Sequence, residues 1–207
     1  MKIVIVGFGT AGKYYLNILK NYKIIKKIYI LNDKKIKKTN LYEQINFKNI
    51  KNKIDEIDYA IIATPPYDHF RYAKFFLQNN LNVLIEKPFV LKIKHAKILI
   101  NLANKVKKKC WVAFQNRHNL ATSKLKYYIK NKLLGKISSV DSVLLWNRSR
   151  QYYKTSWRGK YRTDGGVLAN QAIHLLDMLV YLFGPIKKFN VLAGFEKKKC
   201  SIENAEK

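Results

Sequence analysis

The sequence predicts an α/β protein: an N-terminal doubly wound parallel sheet, followed by a smaller α+β domain. Three observations lead there. A β-branched run, Lys2-Ile-Val-Ile-Val, breaks into Gly7-Phe8-Gly9-Thr10-Ala11-Gly12 and continues with apolar residues at helical spacing to Leu19, as a strand, tight turn and helix require. Short apolar runs then alternate with helix-period segments as far as Phe114, the pattern of successive right-handed βαβ units. An acid, Asp33, closes the second run 21 positions past Gly12.

Each element has its own local reason. Gly7 admits the turn, Gly9 lets backbone approach a pyrophosphate, and Gly12 lets helix and strand pack closely. A diphosphate would sit on the unpaired N–H groups and the positive end of the helix dipole. The same turn without a ligand is the alternative. Lys26 to Leu31 reads as the second strand. Asp33 stands where a dinucleotide site places an acceptor for the adenosine ribose hydroxyls. That favours NAD, although Lys34 and Lys35 would offset repulsion of a 2′-phosphate and leave NADP possible. Asp33 would serve equally as a turn or capping residue. From Lys34 to Asp58 the chain is Lys-rich and broken by Asn40, Asn46, Asn49 and Asn52, which predicts a short helix and a compressed connection. Tyr59 to Ala63 reads as a buried strand ended by Thr64-Pro65-Pro66, and Tyr67 to Gln78 as a helix. Asn82 to Glu86 is the next strand, with Lys87-Pro88 directly after it; a helix over 92–108 leads to a strand over Cys110 to Phe114.

Ligands bind outside the carboxyl ends of the strands in such a sheet. Those ends carry Gly7 to Gly12, Asp33, Thr64-Pro65-Pro66, Glu86-Lys87-Pro88 and Gln115-Asn116-Arg117. A lysine there can hydrogen-bond a substrate hydroxyl and stabilise charge developing on it. Taken alone, Lys87 reads as well as a solvated surface charge.

Composition narrows the classes. Lysine and arginine number 41 against 13 acids, a net charge of +28, yet the basic residues are mostly lysines scattered over every segment rather than arginines gathered into a patch. A basic nucleic-acid binder is therefore the weaker reading, and its affinity would collapse with salt. Cys110 and Cys200 are too few for a disulfide framework and lack metal-ligand spacing, so no metal site is expected and a cytoplasmic setting is the simplest. The N-terminal apolar run ends in glycines rather than at a signal cleavage site. The most apolar later stretch, Gly166 to Gly184, contains Asn170, Gln171, His174 and Asp177, so no membrane span is predicted.

In the second half, His118 to Asn131 predicts a basic helix and Gly135 to Asn147 an extended segment bearing Val140, Val143, Leu144 and Leu145. Arg148 to Thr163 is aromatic and basic, with Arg148, Arg150, Tyr152, Tyr153, Lys154, Trp157, Arg158, Tyr161 and Arg162. Such a loop could stack on a base or sugar and pair with a diphosphate, or its aromatics could simply pack while its charges face water. Asp164-Gly165-Gly166 turns the chain into a helix on which Asn170, His174 and Asp177 share a face. Gly184-Pro185 stops it, and Ile186 to Phe195 begins a strand expected to pair with 135–147.

Ala63-Thr-Pro-Pro-x-x-His69, Glu86-Lys87-Pro88, Trp157-Arg158-Gly159 and Gly165-Gly166-Val-Leu-Ala-Asn170-Gln171-Ala-Ile-His174-Leu-Leu-Asp177, after an N-terminal GxGxxG, resemble the Gfo/Idh/MocA oxidoreductases. The match runs in order over nearly the whole chain. Phe114-Gln-Asn-Arg117 and the Asn-Gln-x-x-His helix look most like members that oxidise the sugar of a nucleotide-sugar, such as UDP-N-acetylglucosaminuronate 3-dehydrogenases. The resemblance implies a Rossmann domain over 1–118 and a partial substrate domain over 119–207. It implies NAD(P) contacts from Gly7, Phe8, Gly9, Thr10, Ala11, Gly12, Asp33, Thr64, Pro65, His69, Glu86, Lys87 and Gln115. Sugar or nucleotide-sugar contacts would come from Lys87, Asn116, Arg117, Trp157, Arg158, Asn170, Gln171, His174 and Asp177. A hydride would leave a sugar carbon for nicotinamide while His174 takes the hydroxyl proton and Lys87 steadies the oxygen. Asn170 stands where many relatives carry Asp; it can orient His174 or bind a hydroxyl but cannot accept a proton as a carboxylate does. Relatives continue for several more strands into an open sheet that commonly buries a subunit contact. A C-terminally short domain, homo-oligomeric in the family, is therefore expected, with a catalytically inert dinucleotide-binding remnant as the alternative.

Overall fold

The computed structural model describes residues 1–33, 36, 38–149 and 151–190. Six parallel strands form one sheet: β1 (Lys2–Val6), β2 (Lys27–Leu31), β3 (Tyr42–Ile45), β4 (Tyr59–Ile62), β5 (Asn82–Ile85) and β6 (Cys110–Val112), in the order β3-β2-β1-β4-β5-β6. The order reverses beside β1, so its carboxyl end is the topological switch point. Register aligns the strand ends: Val6 lies opposite Leu31 and Ile62, and Ile62 opposite Ile85.

Both faces of the sheet are buried, which is why the strands read as continuous apolar runs. Val4 and Val6 point into one core with Phe76 and Leu77 of helix α3 (Pro66–Gln78) and Leu99 of α4 (Ile93–Lys105). Ile3 and Ile5 point into the other with Leu16 of α1 (Thr10–Leu19). Pro66 at the start of α3 costs that helix no hydrogen bond, because the first N–H has no intrahelical partner in any case.

One strand departs from expectation. In the Lys-rich 34–58 connection, a short helix is present as α2 (Phe47–Ile50), continued by a 3₁₀ turn over Lys51–Glu56, but β3 precedes it. Its sequence, Tyr-Glu-Gln-Ile, lacks apolar alternation because an edge strand is paired on one side only. Its polar side chains find partners there. Gln44 Nε2 donates to the Asn32 carbonyl at 2.6 Å and its Oε1 accepts from Ile36 N–H at 2.9 Å. Glu43 pairs with Lys27 and Lys38 at 3.3 and 3.2 Å.

The chain divides into two compact units at Ala113–Phe114. In the second, the 3₁₀ turn Gln115–His118 leads to α5 (Leu120–Lys130), capped by Asn119, whose Oδ1 accepts from Ala121 N–H at 2.9 Å. Then come a 3₁₀ turn over Tyr152–Lys154, the single turn α6 (Tyr161–Asp164), a π-helical turn over Leu168–Ala172, and α7 (Ile173–Phe183). The predicted helix carrying His174 is thus a wide π turn running into an α-helix. Gly184, at φ +92°, ends it as expected.

Residues 136–149 hold no regular secondary structure, and Val143 and Leu145 are exposed. A strand needs a neighbour for its backbone groups; of the expected partner, 186–190 is likewise without regular structure and 191–195 lies outside the described residues, as do Lys34, Lys35, Arg150 and Cys200. Helical residues from Tyr161 to Phe183 reach the length and mean hydropathy, 1.4, of a membrane span. However, Gly165 and Gly166 both adopt positive φ and interrupt the helix, and Asp164, Asn170, Gln171 and Asp177 are buried along it. Those polar groups are bonded within the second unit, as a domain core requires.

Candidate functional site

The first unit gathers its candidate residues at the carboxyl edge of the sheet. Gly7 N–H donates to the Leu31 carbonyl at 2.8 Å and Ala63 N–H to Val6 at 2.8 Å, while Glu86 N–H donates to Ile62 at 2.9 Å. The Gly7 turn, the Ala63-Thr64-Pro65 turn and Glu86-Lys87-Pro88 therefore leave adjacent strands at one level. Phe8 N–H donates to Asn32 Oδ1 at 3.2 Å, tying the glycine turn to the end of β2.

The three glycines are not equivalent. A Cβ on Gly12 would lie 2.1 Å from the Gly7 carbonyl oxygen, and one on Gly7 would lie 2.8 Å from Ala63 O at a φ of +87°. These two let α1 close onto the strands. A Cβ on Gly9 would meet nothing within 4 Å. The space before the α1 N-terminus, with Thr10 and Ala11 in its first turn, is open to an anionic group that its N–H donors and dipole would favour. Thr64 Oγ1 is buried without a hydrogen-bond partner among the described residues, as expected of a hydroxyl that meets a ligand. Both features fit a dinucleotide.

Asp33 is exposed at the end of β2. It faces the start of α3: the Asp68 carboxyl is raised by desolvation and by repulsion from Asp33, against the pull of Arg71 and His69. His69 is fully buried, with Nδ1 2.8 Å from the Pro88 carbonyl and Nε2 2.9 Å from that of Thr64. Burial holds its pKa below the ordinary histidine value, outweighing the carbonyls that favour a cation. The neutral ring carries a single N–H, so it donates to one of these carbonyls and sets its bare nitrogen beside the other; it lies between the two turns, Thr64-Pro65 and Lys87-Pro88, and any service to a cofactor passes through them. The Lys87–Pro88 peptide is cis. Glu86 accepts from the Lys87 N–H at 3.2 Å and from Tyr15 Oη at 2.7 Å. The carboxylate and burial push the Tyr15 phenol well up, with burial the larger cause.

The second unit holds Gln115, Asn116, Arg117 and the later candidates. Arg117 and Asp177 form a two-pronged ion pair, Nε to Oδ2 at 2.8 Å and Nη2 to Oδ1 at 2.5 Å. Both Asp177 oxygens thus hold Arg117, whose guanidinium this bond keeps protonated further above its usual range. Buried Asp164 accepts from Gly159 N–H at 2.7 Å and from Asn170 Nδ2, joining the Trp157-Arg158-Gly159 turn to the π turn. His174 is half-buried, with the Phe114 ring edge-on at 6.4 Å. Gln171 is buried and hydrogen-bonded to Tyr153. Tyr15 and Asp164 escaped sequence reasoning, since their importance lies in partners distant along the chain or across a turn; Tyr15 reads only as one helical residue among others.

Residues 1–114 match the Gfo/Idh/MocA oxidoreductase family with its NAD-binding Rossmann fold, and residues 122–205 match that family's C-terminal domain. The chain belongs to the Gfo/Idh/MocA oxidoreductases. Its first unit is accordingly an NAD-binding Rossmann domain. Among solved structures, it resembles the WlbA dehydrogenase of Chromobacterium violaceum in complex with NADH and UDP-GlcNAcA, at a TM-score of 0.80 and 25% identity over 89% of this chain and 56% of that one. The Bordetella pertussis WlbA dehydrogenase, with the same two ligands, gives 0.77 and 27% over the same shares. The glucose-6-phosphate 3-dehydrogenase of Bacillus subtilis is 28% identical over 188 residues, covering 88% of this chain and 53% of that enzyme. The chain thus spans about half the length of the relatives it matches.

Proposed function

We propose that this protein is an NAD-linked sugar or nucleotide-sugar dehydrogenase with Lys87 and His174 as its catalytic residues. One observation carries the reading: Glu86-Lys87-Pro88 leaves the sheet at the same edge, one strand removed, as the open-fronted glycine turn. A cation at that edge is suited to meeting the oxygen of a substrate held beside the cofactor. Two relatives support the substrate class: the WlbA dehydrogenase bound to UDP-GlcNAcA and the glucose-6-phosphate 3-dehydrogenase of Bacillus subtilis.

Bound NAD supplies the hydride acceptor. Lys87 donates a hydrogen bond to the hydroxyl being oxidised and stabilises the oxygen as its proton leaves. His174 takes that proton, since an imidazole titrates near neutral pH. Asn170, fixed through Asp164, orients the π turn that precedes His174. Asp33 accepts from the adenosine ribose hydroxyls and favours NAD, NADP remaining possible.

The test follows NADH fluorescence after adding NAD with UDP-GlcNAcA or glucose-6-phosphate. The wild-type chain should form NADH with one of them, and Lys87→Met and His174→Ala should each bind NADH normally yet lose turnover. A variant that keeps wild-type kcat removes its residue from the mechanism. NADH binding with no turnover of any sugar would leave an inert dinucleotide-binding protein.

A further inference from the structure

The aromatic and basic stretch of the second unit is arranged as a stack. The Arg148 guanidinium carbon lies 4.0 Å from the Trp146 ring centre and 4.8 Å from that of Tyr152; the Arg158 carbon lies 4.5 Å from Tyr152 and 4.7 Å from Trp157. Both cations share one tyrosine ring, so their carbons are at most about 9 Å apart, and both residues are half-buried, where salt screens a pair of charges much less than at an exposed surface. Two like charges held so near one another repel. The ring quadrupoles offset part of that repulsion, but a carboxylate would do so far better, and among the described residues the ion-paired arginine is Arg117. Moreover, the Nε atoms of both Arg148 and Arg158 are buried without a hydrogen-bond partner among the described residues. Buried guanidinium donors left in this way are costly unless an acceptor arrives.

We propose that Arg148 and Arg158, splinted by Trp146, Tyr152 and Trp157, form a clamp for a phosphate group carried by the substrate. The three rings hold the two guanidiniums in place in advance, so less side-chain entropy is lost when a phosphate binds. Each presents a planar fork that matches phosphate oxygens. A neutral sugar offers nothing to satisfy two cations, whereas a sugar phosphate or a nucleotide-sugar diphosphate does. The net charge of +28 steers such anions toward the protein as a whole; the stack says where they stop. This inference deepens the dehydrogenase reading and rests on it for the substrate's sugar, but not for the clamp itself.

Trp146 and Trp157 are two of the three tryptophans, so their emission reports on the clamp without any turnover. The experiment titrates the full chain with inorganic pyrophosphate, UDP-GlcNAcA, glucose-6-phosphate and scyllo-inositol, reading tryptophan emission. Arg148→Gln and Arg158→Gln are compared with Lys154→Gln, which removes a nearby exposed charge, and a thermal melt and far-UV circular dichroism matching wild type verify that each variant is folded. The expected result is saturable quenching by the phosphate compounds only, with Kd raised tenfold or more in each arginine variant and unchanged in Lys154→Gln. A diphosphate source is assigned if UDP-GlcNAcA weakens in both arginine variants while glucose-6-phosphate weakens in one; equal weakening of both assigns a single phosphate. Wild-type emission indifferent to every phosphate compound, or Kd values within twofold across the variants, overturns the clamp. Turnover of a phosphate-free sugar, unchanged in both arginine variants, would overturn the clamp and leave the dehydrogenase standing. Phosphate binding through both arginines without NADH formation would do the reverse.

Discussion

Tyr15 Oη donates a 2.7 Å hydrogen bond to Glu86 Oε1, joining residues 71 positions apart in the chain. The tyrosine stands on the helix that follows the glycine turn, and the glutamate accepts from the N–H of Lys87. One carboxylate thereby couples the helix after the glycine turn to the backbone of Lys87. The phenol stays protonated, and so remains the donor, well beyond neutral pH.

Tyr15→Phe keeps the ring and removes that donor. Stability should fall by about 1 kcal/mol, seen as a lower urea midpoint. Because Lys87 is held through Glu86, kcat should fall while Kd for NADH changes less than twofold. An unchanged kcat would confine Tyr15 to a purely structural part.

The glycines should separate folding from binding. Gly12→Ala places a methyl against the Gly7 carbonyl oxygen, and an overpacked site of this kind costs about 3 kcal/mol or more; thermal melting should show it. Gly9→Ala meets no protein atom, so its melting temperature should match wild type. Its methyl instead occupies the space before the helix N-terminus, and NADH affinity should drop about tenfold, or about 1.4 kcal/mol. A Gly9→Ala protein with wild-type affinity would remove the cofactor from that space.

His69 should make stability depend on pH. Its folded pKa is depressed by burial, so the unfolded chain binds the extra proton. Stability is whole above the ordinary histidine value of about 6.5 and is lost as pH falls below it toward the folded value. His69→Gln should abolish that component and cost about 1–3 kcal/mol at pH 7.5, because the buried carbonyl, of Thr64 or Pro88, that accepts the ring's one N–H loses its donor. Urea midpoints measured from pH 5 to 8 for both proteins check the difference in slope.

Asp177→Asn should destabilise the second unit by about 2 kcal/mol, the charge-assisted pair with Arg117 being lost. Arg117 is 38% exposed, so water recovers part of that loss, and added salt should narrow the gap between variant and wild type. If the variant is as stable as wild type yet weaker for substrate, Asp177 serves the ligand instead.

How much was legible depended on range. β1, β4 and β5 read directly from sequence because a parallel strand buried on both faces must be apolar throughout, and the glycine turn read because its steric demands fall on consecutive residues. β3 did not read: Glu43 and Gln44 are tolerable in an edge strand only because Lys27, Lys38, Asn32 and Ile36 meet them in space. The same distinction runs through the site. Local sequence determined that Lys87 follows a strand and that Asn170 and His174 lie on one helical run. Tertiary structure alone decided that His69 lies between the carbonyls of two turns, that Asp177 holds Arg117, and that Arg148 and Arg158 share the ring of Tyr152. Spacing along the chain specifies which face a residue occupies; hydrogen bonds and charge pairs depend on which other segment packs against that face, and that is settled only when the whole domain folds.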